Sequence, residues 1–200
     1  IDCCVCCGNR RYSLCQFISA DRYYLAENRT YVDYDATLEV GPYQFSEGIT
    51  RPDWVEHFPF QDGMLVWAVD EAYTDNNTIE HLGHGLALPV DANAEPIVYE
   101  DGSMPSNRRQ PFDAAFGTNP LDEVSLHKQV LVGKGKKATV QTLTASSTPG
   151  TQQATFDDSV VDAYYSDANK LGGVLVAGHG VTITVTEQNT GGTMTISVTN

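Results

Sequence analysis

Cysteine is missing from positions 16–200, because all five cysteines of the chain fall within its first 15 residues. They are Cys3, Cys4, Cys6, Cys7 and Cys15. A disulfide framework spreads its cysteines across the fold, so this pattern excludes one. The two overlapping Cys-x-x-Cys pairs leave a small metal or redox site open, although no second pair follows at zinc-finger spacing. The favoured interpretation is a peripheral tail at residues 1–20, in which the odd count leaves at least one thiol unpaired within the chain.

Basic side chains are also scarce. Twelve Lys and Arg residues stand against 26 Asp and Glu residues, which gives a formal net charge of -14. Nucleic-acid binding needs clustered Lys and Arg, so the composition argues against a nucleic-acid partner and against an anionic membrane surface. No apolar run approaches the roughly 18 residues of a membrane span.

The pair Arg108-Arg109 is expected to bind a local carboxylate rather than a ligand. An acidic chain is compatible with cation binding and with solubility in a salty exterior.

Helical periodicity is nearly absent from the sequence. The apolar runs are short, rich in β-branched and aromatic residues, and bounded by Gly, Pro, Asn and Asp, which is typical of a sandwich or barrel. We therefore predict an all-β fold, an antiparallel β-sandwich of jelly-roll-like type. The candidate strands are Tyr23–Glu27, Met64–Val69, Gly85–Pro89, Pro96–Tyr99, Glu123–Val132, Ala138–Leu143, Val174–Val176, Val181–Glu187 and Thr193–Val198.

The last two candidate strands have the clearest pattern. Both alternate apolar and polar residues at period two, so each has one face for a core and one for water. The segment Gln188–Gly192 between them has the glycines of a turn, which predicts a β-hairpin.

The domain division is less clear than the strands. The polar stretch 145–153 predicts a loop or linker between a β-rich region at 21–144 and a short C-terminal β unit at 154–200. A unit of that size would be marginal alone. One continuous sandwich with a long surface loop is the alternative.

The densest cluster of oxygen-bearing side chains follows the apolar run at 64–69. It comprises Asp70, Asp75, Asn76 and Asn77, and Asp91 follows the next apolar run. Calcium takes about six to eight oxygen ligands, and a strand that leads into several such oxygens often forms its site. These five residues are the candidate calcium ligands, although their spacing does not match an EF-hand loop. The alternative is that they accept hydrogen bonds from their own backbone in an irregular turn.

His81 and His84 invite comparison with the zinc motif His-Glu-x-x-His. That motif places its histidines at i and i+4 on one helical face, with the Glu between them. Here the spacing is i and i+3, Glu80 lies outside the pair, and Gly83 and Gly85 oppose a helix. We therefore expect a glycine-rich loop and assign no catalytic residue. The chain has no Gly-x-Ser-x-Gly elbow, and an active hydrolase with a spatially assembled site is left as an alternative.

Eight phrases of the sequence form an ordered set that spans about 21–200. They are Tyr23–Arg29, Asp62–Asp70, Asp75–Thr78, His81–Ala92, Arg109–Phe116, Ala154–Ser159, Tyr164–Tyr165 and Gly180–Thr186. Together, and in this order, they resemble the immune inhibitor A-type metallopeptidases. Two departures are Leu82, where the family usually has Pro, and Ala68, where an aromatic residue often follows the Trp.

The resemblance implies a secreted bacterial zinc endopeptidase as the parent protein. In that family the His-Glu-x-x-His helix lies upstream of the matched region, and this chain lacks the motif. We therefore predict a non-catalytic accessory region that is inactive alone. Its partner would be the upstream catalytic domain, zinc would belong to that domain rather than to this chain, and calcium is the candidate ion here.

Two further expectations concern the chain as a unit. Ile1 is neither an initiator Met nor part of a signal peptide, so we expect a processed product, a truncated one, or a piece cut from a longer chain. The alternative function is a free-standing extracellular surface, adhesion or filament-forming module, for which self-assembly through an exposed strand edge would be evidence.

Overall fold

The structure, a computed structural model, describes residues 4–5, 13–17, 19–32, 36–40, 49–50, 56–189 and 192–200. No helix in these ranges is long and apolar enough to cross a bilayer. The one α-helix they contain is α1 (Ala36–Val40), and short 3-10 helices lie at Pro111–Asp113, Gly135–Lys137 and Asp167–Asn169. The strands are β1 (Cys4–Val5), β2 (Ser13–Phe17), β3 (Arg22–Arg29), β4 (Gly63–Asp70), β5 (Ala87–Val90), β6 (Pro120–Leu121), β7 (Ser125–Val132), β8 (Thr139–Ser146), β9 (Gly150–Thr151), β10 (Thr155–Asp157), β11 (Thr182–Asn189) and β12 (Thr193–Thr199).

Strands β1–β5 form one antiparallel sheet in which each strand pairs with its neighbour in the chain. Both faces of β4 are covered, since Met64, Leu65 and Val66 are all buried. β3 alternates instead, with Tyr24 and Ala26 buried and Leu25 partly exposed. A continuous apolar run is the pattern of a strand covered on both faces, and alternation is that of a strand with one solvated face.

Strands β10, β11 and β12 form a second antiparallel sheet. Its inward residues, among them Phe156 and Ile183, pack in the same core cluster as Tyr24 and Val66 of the first sheet. Two sheets that share a core in this way form a β-sandwich. The predicted all-β, antiparallel sandwich is therefore confirmed, and the predicted C-terminal hairpin is the β11–β12 pair.

One predicted strand, Pro96–Tyr99, is wrong, because this segment runs as irregular chain. The side chain of buried Gln110 takes the place of a neighbouring strand here. Its Nε2 donates to the Ile97 carbonyl at 3.1 Å, and its Oε1 accepts from the Ile97 N–H at 3.2 Å. These two bonds satisfy a backbone that would otherwise need a strand partner.

Two other segments differ in extent from their predictions. The predicted strand Val174–Val176 contributes a single bridge, between Val174 and Tyr164. In the polar stretch 145–153, the first two residues end β8 and β9 occupies Gly150–Thr151. The predicted strand at 138–143 therefore continues further than its apolar residues indicate.

Asp158 is fully buried and joins the two sheets. Its Oδ1 accepts from the Val181 N–H at 2.6 Å, and its Oδ2 accepts from the Tyr24 hydroxyl at 3.1 Å and from the His179 N–H at 3.3 Å. The Tyr24 oxygen accepts from the Ala177 N–H at 2.9 Å. Burial raises the pKa of the Tyr24 hydroxyl, which stays protonated and keeps donating.

Glu56 forms a second buried polar network, with a side chain that is 0% exposed. Its Oε2 accepts from Arg109 Nη1 at 2.7 Å and from the His127 N–H at 2.6 Å. Its Oε1 lies 2.7 Å from His127 Nδ1. Arg109 also donates to the Tyr99 hydroxyl. Arg109 therefore pairs with a carboxylate as expected, but with one 53 residues away in the chain rather than a local one.

We expect Glu56→Gln to lower the free energy of unfolding by about 3–5 kcal/mol, because it leaves the Arg109 charge without its buried counter-ion. Urea unfolding followed by fluorescence measures this change. Asp167→Asn is the matched control, because it removes the exposed Lys170–Asp167 pair, where we expect little effect. An equal loss in both variants would contradict the importance of the buried pair.

Candidate functional site around the β4–β5 connection

The polar loop at 71–86 connects β4 to β5, and Asp70 lies at its start. The Oδ2 of Asp70 is 3.1 Å from Arg22 Nε, which belongs to β3. Its Oδ1 accepts from the Ala72 N–H at 3.0 Å. The side chain of Asp70 thus ties the beginning of the loop to the neighbouring strand.

Asp75, Asn76 and Asn77 lie together in the middle of this loop, and their side chains accept backbone hydrogen bonds. Asn76 Oδ1 accepts from the Ala87 N–H at 2.7 Å, which fixes the start of β5. Asp75 Oδ1 accepts from the Asn77 N–H at 2.9 Å, and Asn77 Oδ1 accepts from the Ile79 N–H at 3.3 Å. These are the local bonds of the turn interpretation, and each oxygen keeps a second lone pair.

The two histidines of the loop both contact Tyr73. The His84 ring stacks on it with ring centroids 5.5 Å apart, and the His81 ring lies tilted at 5.0 Å. Burial lowers the pKa of His84, and the Arg22 charge lowers it further. The turn contains Gly83, whose φ of 76° and contact with Leu175 leave no room for a side chain. The loop is therefore packed by ring contacts.

A small cavity separates the loop from β3 and β4. Its volume is about 20 Å³, and Arg22, Tyr24, Asp70 and His84 line it together with Val176. A cavity of this size holds one water molecule. It has no room for an organic substrate.

Asp91, the fifth candidate ligand, lies away from the other four. The β4–β5 register pairs Val66 with Val90 and Val69 with Ala87, so Asp91 lies opposite Leu65 at the other end of the strand pair. Five residues separate that position from Asp70, which is about 17 Å at the usual rise of a strand. One ion cannot contact both Asp70 and Asp91.

Asp91 instead lies near enough to Asp113 to be affected by its charge, and the sequence interpretation missed Asp113. The Asn93 N–H donates to Asp91 Oδ1 at 2.8 Å, and Asn93 Nδ2 donates to the Asp113 carbonyl at 2.9 Å. Burial, followed by the negative charge of Asp113, raises the pKa of Asp91 to about 8. Burial also raises the pKa of Asp113 to about 6.

The sequence offered little indication of which partners the acidic side chains outside the loop would have. Asp113 belongs to the phrase Arg109–Phe116, but nothing in its spacing places it beside Asp91. Glu56 and Asp158 also acquire their partners only through the fold. Within the described ranges, no three His, Cys, Asp or Glu side chains form a group able to hold a metal ion. The cysteines at 3, 6 and 7 lie outside those ranges.

The raised pKa of Asp91 makes stability depend on pH. The folded chain retains this proton up to about pH 8, whereas the unfolded chain releases it near the ordinary value of 3.8. The free energy of unfolding should therefore fall as pH rises through that window, by up to about 1.4 kcal/mol per pH unit. We expect Asp91→Asn to flatten the fall between about pH 6 and pH 8 in calcium-free urea titrations. An unchanged slope would contradict this.

Comparison with known proteins gives the family. The family model described as "Immune inhibitor A-like metallopeptidase, VEG domain" matches residues 17–196. The pre-pro-metalloprotease PrtV of Vibrio cholerae serotype O1 is 34% identical over 101 residues, which is 50% of this chain and 10% of PrtV. Immune inhibitor A of Bacillus thuringiensis subsp. alesti is 36% identical over 118 residues, which is 56% of this chain and 16% of that protein.

These matches agree with the resemblance inferred from the ordered phrases, which is thereby confirmed. The chain spans only a small part of each relative's length. The matched range 17–196 includes strands of both sheets, so the family model covers parts of both halves of the sandwich. The chain therefore belongs to the immune inhibitor A-like metallopeptidases and corresponds to their VEG domain.

Proposed function

We propose that this chain is a non-catalytic accessory domain of a secreted zinc metalloendopeptidase, with a structural role beside an upstream catalytic domain. The observation that carries the proposal is the VEG-domain match over 17–196, combined with the small share of each metallopeptidase relative that the chain covers. The aligned segments form about 10% and 16% of these two enzymes, so most of each polypeptide lies outside them and is left for catalysis and other tasks.

The polar contacts support a structural role. Asp158 and Glu56 are buried, and each accepts several hydrogen bonds that join distant segments. Asp70 joins the loop to β3, and Asn76 fixes the start of β5. Polar groups whose hydrogen bonds are made within the protein stabilise its fold, and they are not left available to act on a substrate. The water-sized cavity beside the loop agrees with this function.

Calcium binding is the second part of the proposal, and the residues proposed as its ligands lie at two places in the fold. One is the loop with Asp70, Asp75, Asn76 and Asn77. The other is Asp91, now together with Asp113, where Asn93 holds both segments. The second place fits a cation better, because a divalent ion would neutralise two largely buried carboxyl groups, one of which already feels the charge of the other.

The non-catalytic role is tested with the purified chain. We expect no hydrolysis of casein or gelatin when zinc is supplied, and an open reading frame upstream of Ile1 that encodes His-Glu-x-x-His. The same assay on a protein that includes that upstream region should show proteolysis that a chelator abolishes. Chelator-sensitive hydrolysis by the purified chain alone would contradict the proposal, as would a complete gene without the zinc motif.

Calcium binding predicts a melting temperature that rises with calcium concentration, because a ligand of the native state stabilises it by mass action. Differential scanning calorimetry from chelator to millimolar calcium measures this rise. We expect Asp91→Asn to reduce the rise and Asp101→Asn, at an exposed position, to keep it. If Asp75→Asn alone reduces it, the ion belongs to the loop instead. No rise in the unmodified chain would remove calcium from the proposal and leave the structural role intact.

A further inference from the structure

The β7–β8 hairpin ends in an exposed segment, residues 131–140, which we call the arm. The inner half of the hairpin packs on the body of the domain through Leu143, Ala145 and Tyr99. In the arm, Leu131 is 63% exposed and Val140 is 41% exposed. Two strands alone are marginally stable in water, and apolar side chains exposed at the end of such a hairpin are typical of a contact surface.

The hairpin that carries the arm is rich in lysine. Three of the chain's five lysines, Lys134, Lys136 and Lys137, lie in the arm, Lys128 lies just before it in β7, and no Asp or Glu occurs between positions 124 and 156. The three lysines of the arm are exposed at the turn of the hairpin. The chain outside residues 124–156 contains all 26 acidic residues and eight of the 12 basic ones. The arm is therefore positive on an otherwise acidic molecule.

The order of residues along the arm favours a protein surface over a lipid bilayer as its partner. The three lysines occupy the extreme tip, and Leu131, Val132 and Val140 lie behind them. An element that inserts into a bilayer puts its apolar side chains deepest and keeps its lysines at the headgroups. The arm has the reverse order, which suits an acidic recess with an apolar rim.

A cleft with that character lies at the other end of the hairpin. Its volume is about 330 Å³, and its lining includes the carboxylates of Glu39, Asp62 and Asp122. Tyr31, Phe58 and Phe60 provide aromatic walls, and none of the described lining residues is Lys or Arg. Burial, together with the charge of Glu39, raises the pKa of Asp62. Carboxylates and aromatic faces are both favourable partners for a lysine ammonium group.

The arm cannot reach this cleft in its own molecule. Val124 lines the cleft and directly precedes β7. The eight residues of β7 then run away from it, so the tip lies on the order of 25 Å from the cleft at the usual strand rise. A lysine side chain spans only a fraction of that distance. Contact between the two surfaces therefore requires two molecules.

We propose that the arm of one molecule docks its lysine tip into the acidic aromatic cleft of a second copy. Two different surfaces meet in this contact, so it is heterologous and extends from copy to copy unless a ring closes. The proposal is independent of the structural role suggested above, because a domain can support a peptidase whether or not it assembles. It gives a function to the lysines and to the cleft. Neither of them is needed to form the core of the sandwich.

Sedimentation velocity of the purified chain, over a range of concentrations at low ionic strength, tests the proposal. We expect concentration-dependent self-association that weakens as salt is added, because the contact is between exposed charges. Reversing the tip with Lys134→Glu, Lys136→Glu and Lys137→Glu should weaken association by about tenfold or more. Reversing the cleft with Asp62→Lys and Asp122→Lys should do the same. Lys170→Glu, a charge reversal at an exposed lysine elsewhere, is the matched control and should leave association unchanged.

A mixing experiment separates specific docking from general charge effects. The tip-reversed and cleft-reversed variants should each sediment as monomers, and their mixture should associate, because the tip of each is then complementary to the cleft of the other. Circular dichroism and thermal melting of each variant establish that it is folded. The proposal is overturned if the unmodified chain stays monomeric at all concentrations, if the reversals leave association unchanged, or if folded variants fail to associate when mixed.

Discussion

The core shared by the two sheets is the constraint on which the other features depend. Each sheet contributes an apolar face to this core, and neither can keep that face from water without the other. Phe156 lies near the centre of this core, with its ring 4.7 Å from Tyr24 and 5.3 Å from Tyr164. Because Tyr24 also donates to Asp158, apolar packing and the buried polar network act on the same pair of strands. A substitution of Tyr24 would therefore weaken both the apolar packing and the buried hydrogen bonds.

Sequence patterns predicted the parts of the fold that depend on local chemistry. The alternation at 182–189 and 193–199 and the apolar run of β4 arise from which face each strand buries, and a single chain segment encodes that. Pro96–Tyr99 has the composition of a strand, yet the Gln110 side chain satisfies Ile97. The pairing of Glu56 with Arg109 across 53 residues has no local signature either. Sequence patterns therefore did not predict the interactions between segments that are distant in the chain.

The candidate site shows the same limit for a different reason. Asp and Asn side chains are suited both to calcium and to the backbone of turns, so composition alone cannot separate the two uses. The loop at 71–86 uses these side chains to hold its own backbone and the start of β5. Asp91 and Asp113 are a pair that only the β4–β5 register and the 3-10 helix before Ala114 bring together. The sequence identified one of these two carboxylates and not its partner.

The polar residues of the domain differ in whether folding accounts for them. Asp158, Glu56 and Asn76 accept hydrogen bonds that position buried or paired backbone, so stability alone is a sufficient reason for each. The lysines of the arm are exposed and lie beyond the part of the hairpin that the body covers. Their exposed side chains take no part in the described core clusters, and their repulsion from one another opposes a compact tip. Folding therefore gives no reason for an acidic domain to gather its lysines on this hairpin, and the proposed contact with an acidic surface supplies one.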